Sequence, residues 1–326
     1  MLVWPMSLGI IDNREMSATA KPQVSVCIPT FRRNERLLAV LEDLGRQDRL
    51  PDQVVVVDND PAGGARPIIE QYRASGVSFQ VAYDVQPQAN IAITRNRTVQ
   101  LASGNWIAFI DDDERAPREW LRELLHAAEA FDADGVLAPV EPEVPSNAPA
   151  WIRRGRFYDF PHQPEGADVP LNRMRFGNVL LRAEYLRAED GPFNPRYGLM
   201  GGEDVDLLVR LARKGAKIVW SERAPVFEPV ESKRLSLRFL AMRALSGGQM
   251  FARYTLDGNF KAVGRIRRGL FVVRTLVQLF IAAVLAPVSL PFGRHHAAAW
   301  YIKACANFGK LSVLWGWRYD LYGRKQ

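Results

Sequence analysis

Through the first two thirds of the chain, short runs of consecutive apolar residues alternate with segments whose large apolar residues recur every three or four positions. Residues 24–28, Val-Ser-Val-Cys-Ile, form the first run and are closed by Pro29, the signature of a short buried strand. Residues 34–44 then carry Leu37, Leu38, Leu41 and Leu44 at helical spacing. The unit repeats with a strand over 54–57, turn chemistry in Asp58, Asn59, Asp60, Pro61, Gly63 and Gly64, a helix near 67–74 and a strand over 79–83. A helix over 91–101 leads to a strand over 106–110. This alternation predicts an α/β fold, a Rossmann-like and mainly parallel sheet with helices on both faces. Such sheets bind ligands beyond the carboxyl ends of their strands, so Thr30, Asp58 and Asp111, each placed directly after a predicted strand, are expected along one edge.

Residues 139–170 break the rhythm. They are rich in Pro, carry Trp151, Phe157, Tyr158 and Phe160 without a sustained period, and predict a long irregular excursion over the site. Order returns at 176–181. Gly201, Gly202, Glu203 and Asp204 then open a helix that runs to about Lys214 and stops at Gly215, before a strand over 217–220. Residues 235–254 are helical in pattern, and 270–292 form the most apolar stretch, long enough for the roughly 20 residues a bilayer requires. Arg274, Gln278, Pro287 and Pro291 weaken a simple span. Arg265, Arg267 and Arg268 precede the stretch and Arg294, His295 and His296 follow it, so neither end is favoured as the positive one. The expected disposition is a segment lying in or dipping into one leaflet, with Trp300, Tyr301, Lys303, Lys310, Trp315 and Trp317 supplying an interfacial composition just after it. Core helices of a soluble domain or a homodimer face are the alternative. Three regions follow: an extension over 1–22, a catalytic α/β domain over 23–231, and a basic, apolar, helical C-terminal region over 232–326.

Composition sharpens this division. At 326 residues and 48% hydrophobic content the chain can bury a full core and still build a smaller second region. Its net charge of +7 conceals 16 Lys and Arg against two acids from Ser232 onward, which leaves 27 basic and 34 acidic residues on the remainder. A basic tail on an acidic body calls for an anionic partner at the tail alone, either a nucleic acid or a membrane leaflet. Cys27 and Cys305 form neither a disulfide framework nor a zinc signature, and a reducing, cytoplasmic setting fits. His126, His162, His295 and His296 form no ligand or triad pattern. The first residues lack a basic leading segment, so no secretory leader is expected, and Met6 and Met16 are further candidate starts.

Asp111, Asp112 and Asp113 carry the clearest chemistry. Three adjacent carboxylates repel one another, so one is protonated or a cation neutralises the group. With no His or Cys nearby, a cation that prefers oxygen ligands, Mg2+ or Mn2+, is the economical choice, and it would in turn neutralise a diphosphate leaving group. A solvated acidic turn is the plain alternative. Asp204, after Glu203 at a helix start, is either a helix-dipole partner or a general base. Asp58 is a turn residue or a nucleobase contact, and Arg95 and Asn96 belong to a polar helix whose simplest reading is a solvated face.

Taken together and in order, five segments resemble glycosyltransferase family 2: Val24 through Pro29-Thr30-Phe31-Arg32-Arg33-Asn34, Val54 through Asp58-Asn59, Thr94-Arg95-Asn96, Gly104 through Asp111-Asp112-Asp113, and Gly202-Glu203-Asp204-Val205-Asp206-Leu207. The resemblance implies a GT-A fold and a nucleotide-sugar donor, expected to be UDP-linked, with inverting transfer to an acceptor. It implies that Pro29, Thr30 and Arg32 border the nucleotide, that Asp58 bonds the base, that Arg95 helps hold the nucleotide, and that Asp111 faces the ribose and phosphates with Asp112 in support. Asp113 would bind the metal, with Asp111 and Glu228 as further candidates. Asp204 falls at the family's base, and Glu203 and Trp151 would contact the acceptor or orient a loop. Many members have a His where this chain has Glu228, which leaves the choice of metal open. Glu228-Pro229-Val230 with Arg234, Arg243 and Gly247-Gly248-Gln249 looks like the subgroup that builds succinoglycan-type exopolysaccharides on lipid carriers. That likeness implies a lipid-linked glycan acceptor, an anionic membrane surface and no nucleic acid as partners, and a peripheral or monotopic position on the cytoplasmic face of the inner membrane. Two rivals remain. A nucleotidyltransferase would place a Gly-rich basic loop where Pro29-Thr30-Phe31-Arg32-Arg33 stands, and a catalytically silent assembly partner would have no need of these carboxylates.

Overall fold

The structure, a computed structural model, describes residues 22–199, 201–258 and 264–317. The expected extension over 1–22, with Met6 and Met16, lies outside the described residues except for Pro22. Strands β1 (Val24–Thr30), β2 (Gln53–Asp58), β3 (Gln80–Val85) and β4 (Trp106–Phe109) appear where the apolar runs predict them, alternating with α1 (Asn34–Gly45), α2 (Arg66–Ala74) and α3 (Ile91–Leu101). Every residue of β1, β2 and β4 is buried, which is why each reads as a continuous apolar run. Next come α4 (Trp120–Ala130), β5 (Gly135–Leu137), β6 (Val140–Glu143), α5 (Ala150–Gly155), β7 (Val179–Arg182), α6 (Ala183–Arg187), α7 (Glu203–Arg213), β8 (Ile218–Trp220) and β9 (Val226–Pro229).

Seven strands form one sheet in the order β3-β2-β1-β4-β7-β5-β8. All neighbours are parallel except those of β7, which runs antiparallel to both β4 and β5. The sheet is therefore mixed. An apolar run carries no direction, so the sequence offered nothing against an all-parallel arrangement. The excursion over 139–170 is less irregular than its composition predicts: β6 pairs in parallel with β9 in a second, two-stranded sheet, and α5 follows. Leu37, Leu41, Ile69, Leu121 and Leu124 fill one face of the large sheet, and Val99, Phe109, Phe193, Leu207 and Leu208 fill the other.

The chain turns from β1 toward β2 on one side and reaches β4 on the other, so a crevice opens beyond the ends of β1 and β4. The β1–β4 ladder ends at Cys27 opposite Phe109, two residues before Pro29, where a missing N–H costs little.

The C-terminal region is helical: α8 (Leu237–Leu256), α9 (Arg265–Val288) and α10 (Arg294–Ser312). Ser236 caps α8 by accepting from the Phe239 N–H at 3.2 Å. The α8 and α10 backbones touch at two glycines, because a Cβ on Gly248 would overlap the Ala306 carbonyl and one on Gly309 the Leu245 carbonyl. The neighbouring Gly247 faces open space. Gly248→Val should therefore destabilise the protein by about 1–3 kcal/mol through overpacking against rigid backbone, while Gly247→Ala leaves it unchanged or slightly stabilised; thermal melts of the two variants test this.

Candidate active site

The last residues of β1 and β2, Thr30 and Asp58, lie side by side in register, and the acidic run begins two residues after β4 ends. Asp112 closes the crevice floor. Its carboxylate accepts from Thr30 Oγ1 at 2.8 Å, from the Phe31 N–H at 3.3 Å and from Arg33 at 2.7 Å. Asp113 points to a different set: Arg33 at 2.9 Å, Arg36 at 3.6 Å and Arg234 at 3.3 Å, and Arg234 also pairs with Glu228. One guanidinium thus bridges Asp113 and Glu228.

Asp111 belongs to a third group. Arg95, on α3 and buried, bonds Asp111 at 3.2 Å and Glu203 at 2.6 Å while its guanidinium stacks 4.7 Å from the Phe176 centroid. Glu203 is 3% exposed and its Oε2 has no hydrogen-bond partner among the described residues. Burial, reinforced by the adjacent Asp204 charge and opposed by Arg95, pushes the Glu203 carboxyl up to about 7. Gly202, at φ +105°, turns the chain into α7 in a conformation glycine tolerates, and Tyr254 on α8 donates to its carbonyl. Asp204 sits at the first turn of α7, half-buried, accepting from the Val205 N–H at 2.7 Å.

On the β2 side, Asp58 is almost fully buried and accepts from the Asp60 and Ala65 N–H groups at 2.9 and 3.0 Å and from the Tyr83 hydroxyl at 3.2 Å. Arg32, in the left-handed region at φ 53°, leans out to Asp60 at 2.9 Å.

These observations describe an acidic crevice at the switch point of an α/β sheet, bordered by arginines and a helix N-terminus. Residues 25–187 match the family model described as Glycosyl transferase family 2. The chain belongs to that family. Among relatives of this family 2 chain is the succinoglycan biosynthesis protein ExoM of Rhizobium meliloti, 34% identical over 71% of this chain and 74% of that protein. The amylovoran biosynthesis glycosyltransferase AmsB of Erwinia amylovora is 25% identical over 66% of this chain and 70% of its own length. Among solved structures, the mannosyltransferase PcManGT of Pyrobaculum calidifontis, in complex with GDP-Man and Mn2+, superposes with a TM-score of 0.65 at 18% identity, over 91% of this chain and 88% of that one. S. aureus TarS 1-349 in complex with UDP gives 0.52 at 18% identity, over 91% and 93%. The fold is GT-A, and the family's activity, glycosyl transfer, is that of this chain.

Within the family 2 site, Thr30, Asp112 and Asp113 meet through Arg33, and Arg95, Asp111 and Glu203 meet through the Arg95 guanidinium. Glu203 is buried at the first position of α7 and paired with Arg95. Arg95 and Asn96 do not form a solvated face. Asn96 is buried and bonds both the N–H and the carbonyl of Phe193 at 2.8 Å, because α3 must pin the loop that precedes α7. Trp151 packs on Phe157 in a satellite cluster with Ile152, Tyr158, Val230 and Leu240.

Two residues were missed by sequence reasoning. Glu114 extends the acidic run inward: it is 2% exposed, accepts the Asp111 N–H at 2.9 Å, and is held well above the usual carboxylate range by burial and by Asp111. Adjacency to three aspartates was the only signal for it. Arg175, with its guanidinium 3.3 Å from the Phe160 centroid, is lowered to about 10 by burial while Glu114, Glu228 and Asp204 hold its charge. Arg243 approaches the same ring at 5.6 Å.

The Glu203 carboxyl has a definite pH consequence. A folded-state value above the unfolded one means that the folded protein binds the extra proton, so its stabilising contribution is full below about 4.5 and is lost as pH rises through about 7. Melting temperature should therefore fall across that window, and the fall should be shallower in Glu203→Gln; equal slopes in the two proteins would count against this titration.

Proposed function

We propose that the chain is an inverting glycosyltransferase in which Asp204 is the general base and the crevice beyond β1 and β4 holds a nucleotide-sugar donor, expected to be UDP-linked. The observation that carries this reading is the position of Asp204 at the N-terminus of α7, tied to the crevice through Glu203, Arg95 and Asp111. The adjacent Arg95–Glu203 pair and the Tyr254–Gly202 contact fix the turn on which it stands. Asp204 takes the acceptor hydroxyl proton as that oxygen attacks the anomeric carbon, and the nucleoside diphosphate departs from the opposite face. Arg175 and Arg243, brought together on the Phe160 ring, offer positive charge to the leaving diphosphate. Thr30, Pro29 and Arg32 line the nucleotide side, with Asp58 and the Tyr83 hydroxyl it holds beside the base.

Asp111, Asp113 and Glu228 offer the oxygen ligands that a hard divalent cation, Mg2+ or Mn2+, prefers, but among the described residues no three such side chains are grouped to hold a metal. Asp113 would hold it, with Asp111 and Glu228 beside it, and its chemistry is to neutralise the diphosphate. The Arg234 guanidinium bridges Asp113 and Glu228, so these two carboxylates share one positive charge.

Likeness to ExoM and AmsB over most of the chain supports exopolysaccharide synthesis as the setting, and the acceptor we propose there is a lipid-linked glycan. One helix among the described residues, Arg265–Val288, is long and apolar enough to cross a membrane, and it supports attachment of the chain to a membrane, which we propose is the inner membrane at its cytoplasmic face.

Two variants separate the roles. Asp204→Asn should keep donor affinity, read by calorimetry with UDP-sugars, and lose about 10²–10⁴-fold in turnover. Asp113→Asn should lose the Mn2+-dependent part of donor binding. Near-normal turnover in Asp204→Asn would remove it from the role of base.

A further inference from the structure

Helix α9 is inside out. Its outward stripe, Leu270, Val273, Val277, Phe280, Val284 and Val288, follows helical spacing and is exposed, with Phe280 at 70% and Leu270 at 63%. Thr275 and Ala282 are its buried positions, and Phe271, Val272, Gln278, Leu279 and Leu285 are half-buried, so most of its large apolar side chains lie on the outward side. Between Gly264 and Trp317 the chain holds seven Lys and Arg and no Asp or Glu, so the surface carrying this stripe is basic throughout. A soluble surface helix has the opposite arrangement.

Both ends of α9 are held at the catalytic domain. At its start, Arg268 donates to the Leu256 carbonyl at the end of α8, and Arg213 at the end of α7 donates to the nearby Gly258 carbonyl. At its finish, the chain turns through Leu290–Phe292 into α10, which packs against α5. From there α10 runs back antiparallel, Lys310 coming near Arg274, and its Ile302 packs on the cluster of Ile152, Tyr158, Val230 and Leu240. At about 1.5 Å per residue, α9 is about 36 Å long, enough to cross a bilayer. Crossing would nevertheless carry one of these two anchor points, with α5 or the end of α7, through the hydrocarbon.

We infer that α9 lies in the plane of the membrane, its outward stripe sunk into one leaflet that bears anionic lipid, with both ends on the same side. This rests on the membrane-attached reading above. Arg265, Arg267 and Arg268 at one end and Arg294 at the other meet lipid phosphates, while the stripe enters the acyl region. The site is thereby fixed to the surface by a helix that never leaves it.

Two measurements on the full chain test this. In flotation, the wild-type protein should rise with phosphatidylcholine vesicles containing phosphatidylglycerol, more than with phosphatidylcholine alone. Val277→Glu with Phe280→Glu should weaken that binding by about tenfold or more at an unchanged melting temperature. In a Cys305→Ser background, with Cys27 buried, Arg265→Cys and Arg294→Cys should both react with a membrane-impermeant maleimide in inverted membrane vesicles and neither in spheroplasts. Labelling of the two positions from opposite sides overturns the in-plane geometry and leaves membrane attachment standing. A wild-type protein that fails to float overturns both, and a detergent-free homodimer in which the glutamates disrupt the dimer assigns the stripe to a second copy instead.

Discussion

Arg95 is the pivot of the site. Its guanidinium leaves α3, lies against the contacting Phe176 and Phe193 rings, and reaches the first carboxylate after β4 and the first residue of α7 at once. Three elements distant in sequence therefore share one charge in a setting where water supplies little screening. Removing one partner from such a buried pair costs about 3–5 kcal/mol. The arrangement is worth that exposure because it fixes the loop before α7, and with it the direction in which Asp204 points. One oxygen of Glu203 has no hydrogen-bond partner among the described residues.

Around this pivot the crevice is a balance of opposite charges at close range. Arg33 serves Asp112 and Asp113, Arg234 serves Asp113 and Glu228, and Glu114 is a buried acid beside them whose carboxyl is raised well above the usual range by burial. A diphosphate entering such a site does not meet an empty well of positive charge. It must exchange partners with carboxylates that already hold the arginines, so binding is selective for ligands that bring compensating charge with them.

Much of this was legible in the sequence. The strands β1, β2 and β4 were readable because strands covered on both faces are uninterrupted apolar runs, and the site-bearing residues fell just after them because a sheet of this kind binds at its carboxyl edge. The reversal of β7 was not readable, since Val179–Arg182 has the same composition in either direction. Nor was the burial of Arg95 and Asn96: polar residues on a helix look alike whether they face water or hold a loop, and only the approach of Phe176 and Phe193 distinguishes the two. Arg175 was hidden for the same reason, its neighbours being supplied by α8 and by the excursion over 139–170. The apolar character of α9 was plain, whereas its inverted facing needed α10 in place.

The contact of α8 and α10 at Gly248 and Gly309 joins the helix under Gly202 to the hairpin that carries the apolar stripe. Backbone touching backbone leaves no side chain to act as a hinge, so the crevice and the stripe keep a constant tilt. On the proposed in-plane attachment, that tilt would turn the search for a lipid-linked acceptor from a volume into an area. Encounters then depend on lateral diffusion and on the number of carriers per unit of surface, and every acceptor arrives the same way up.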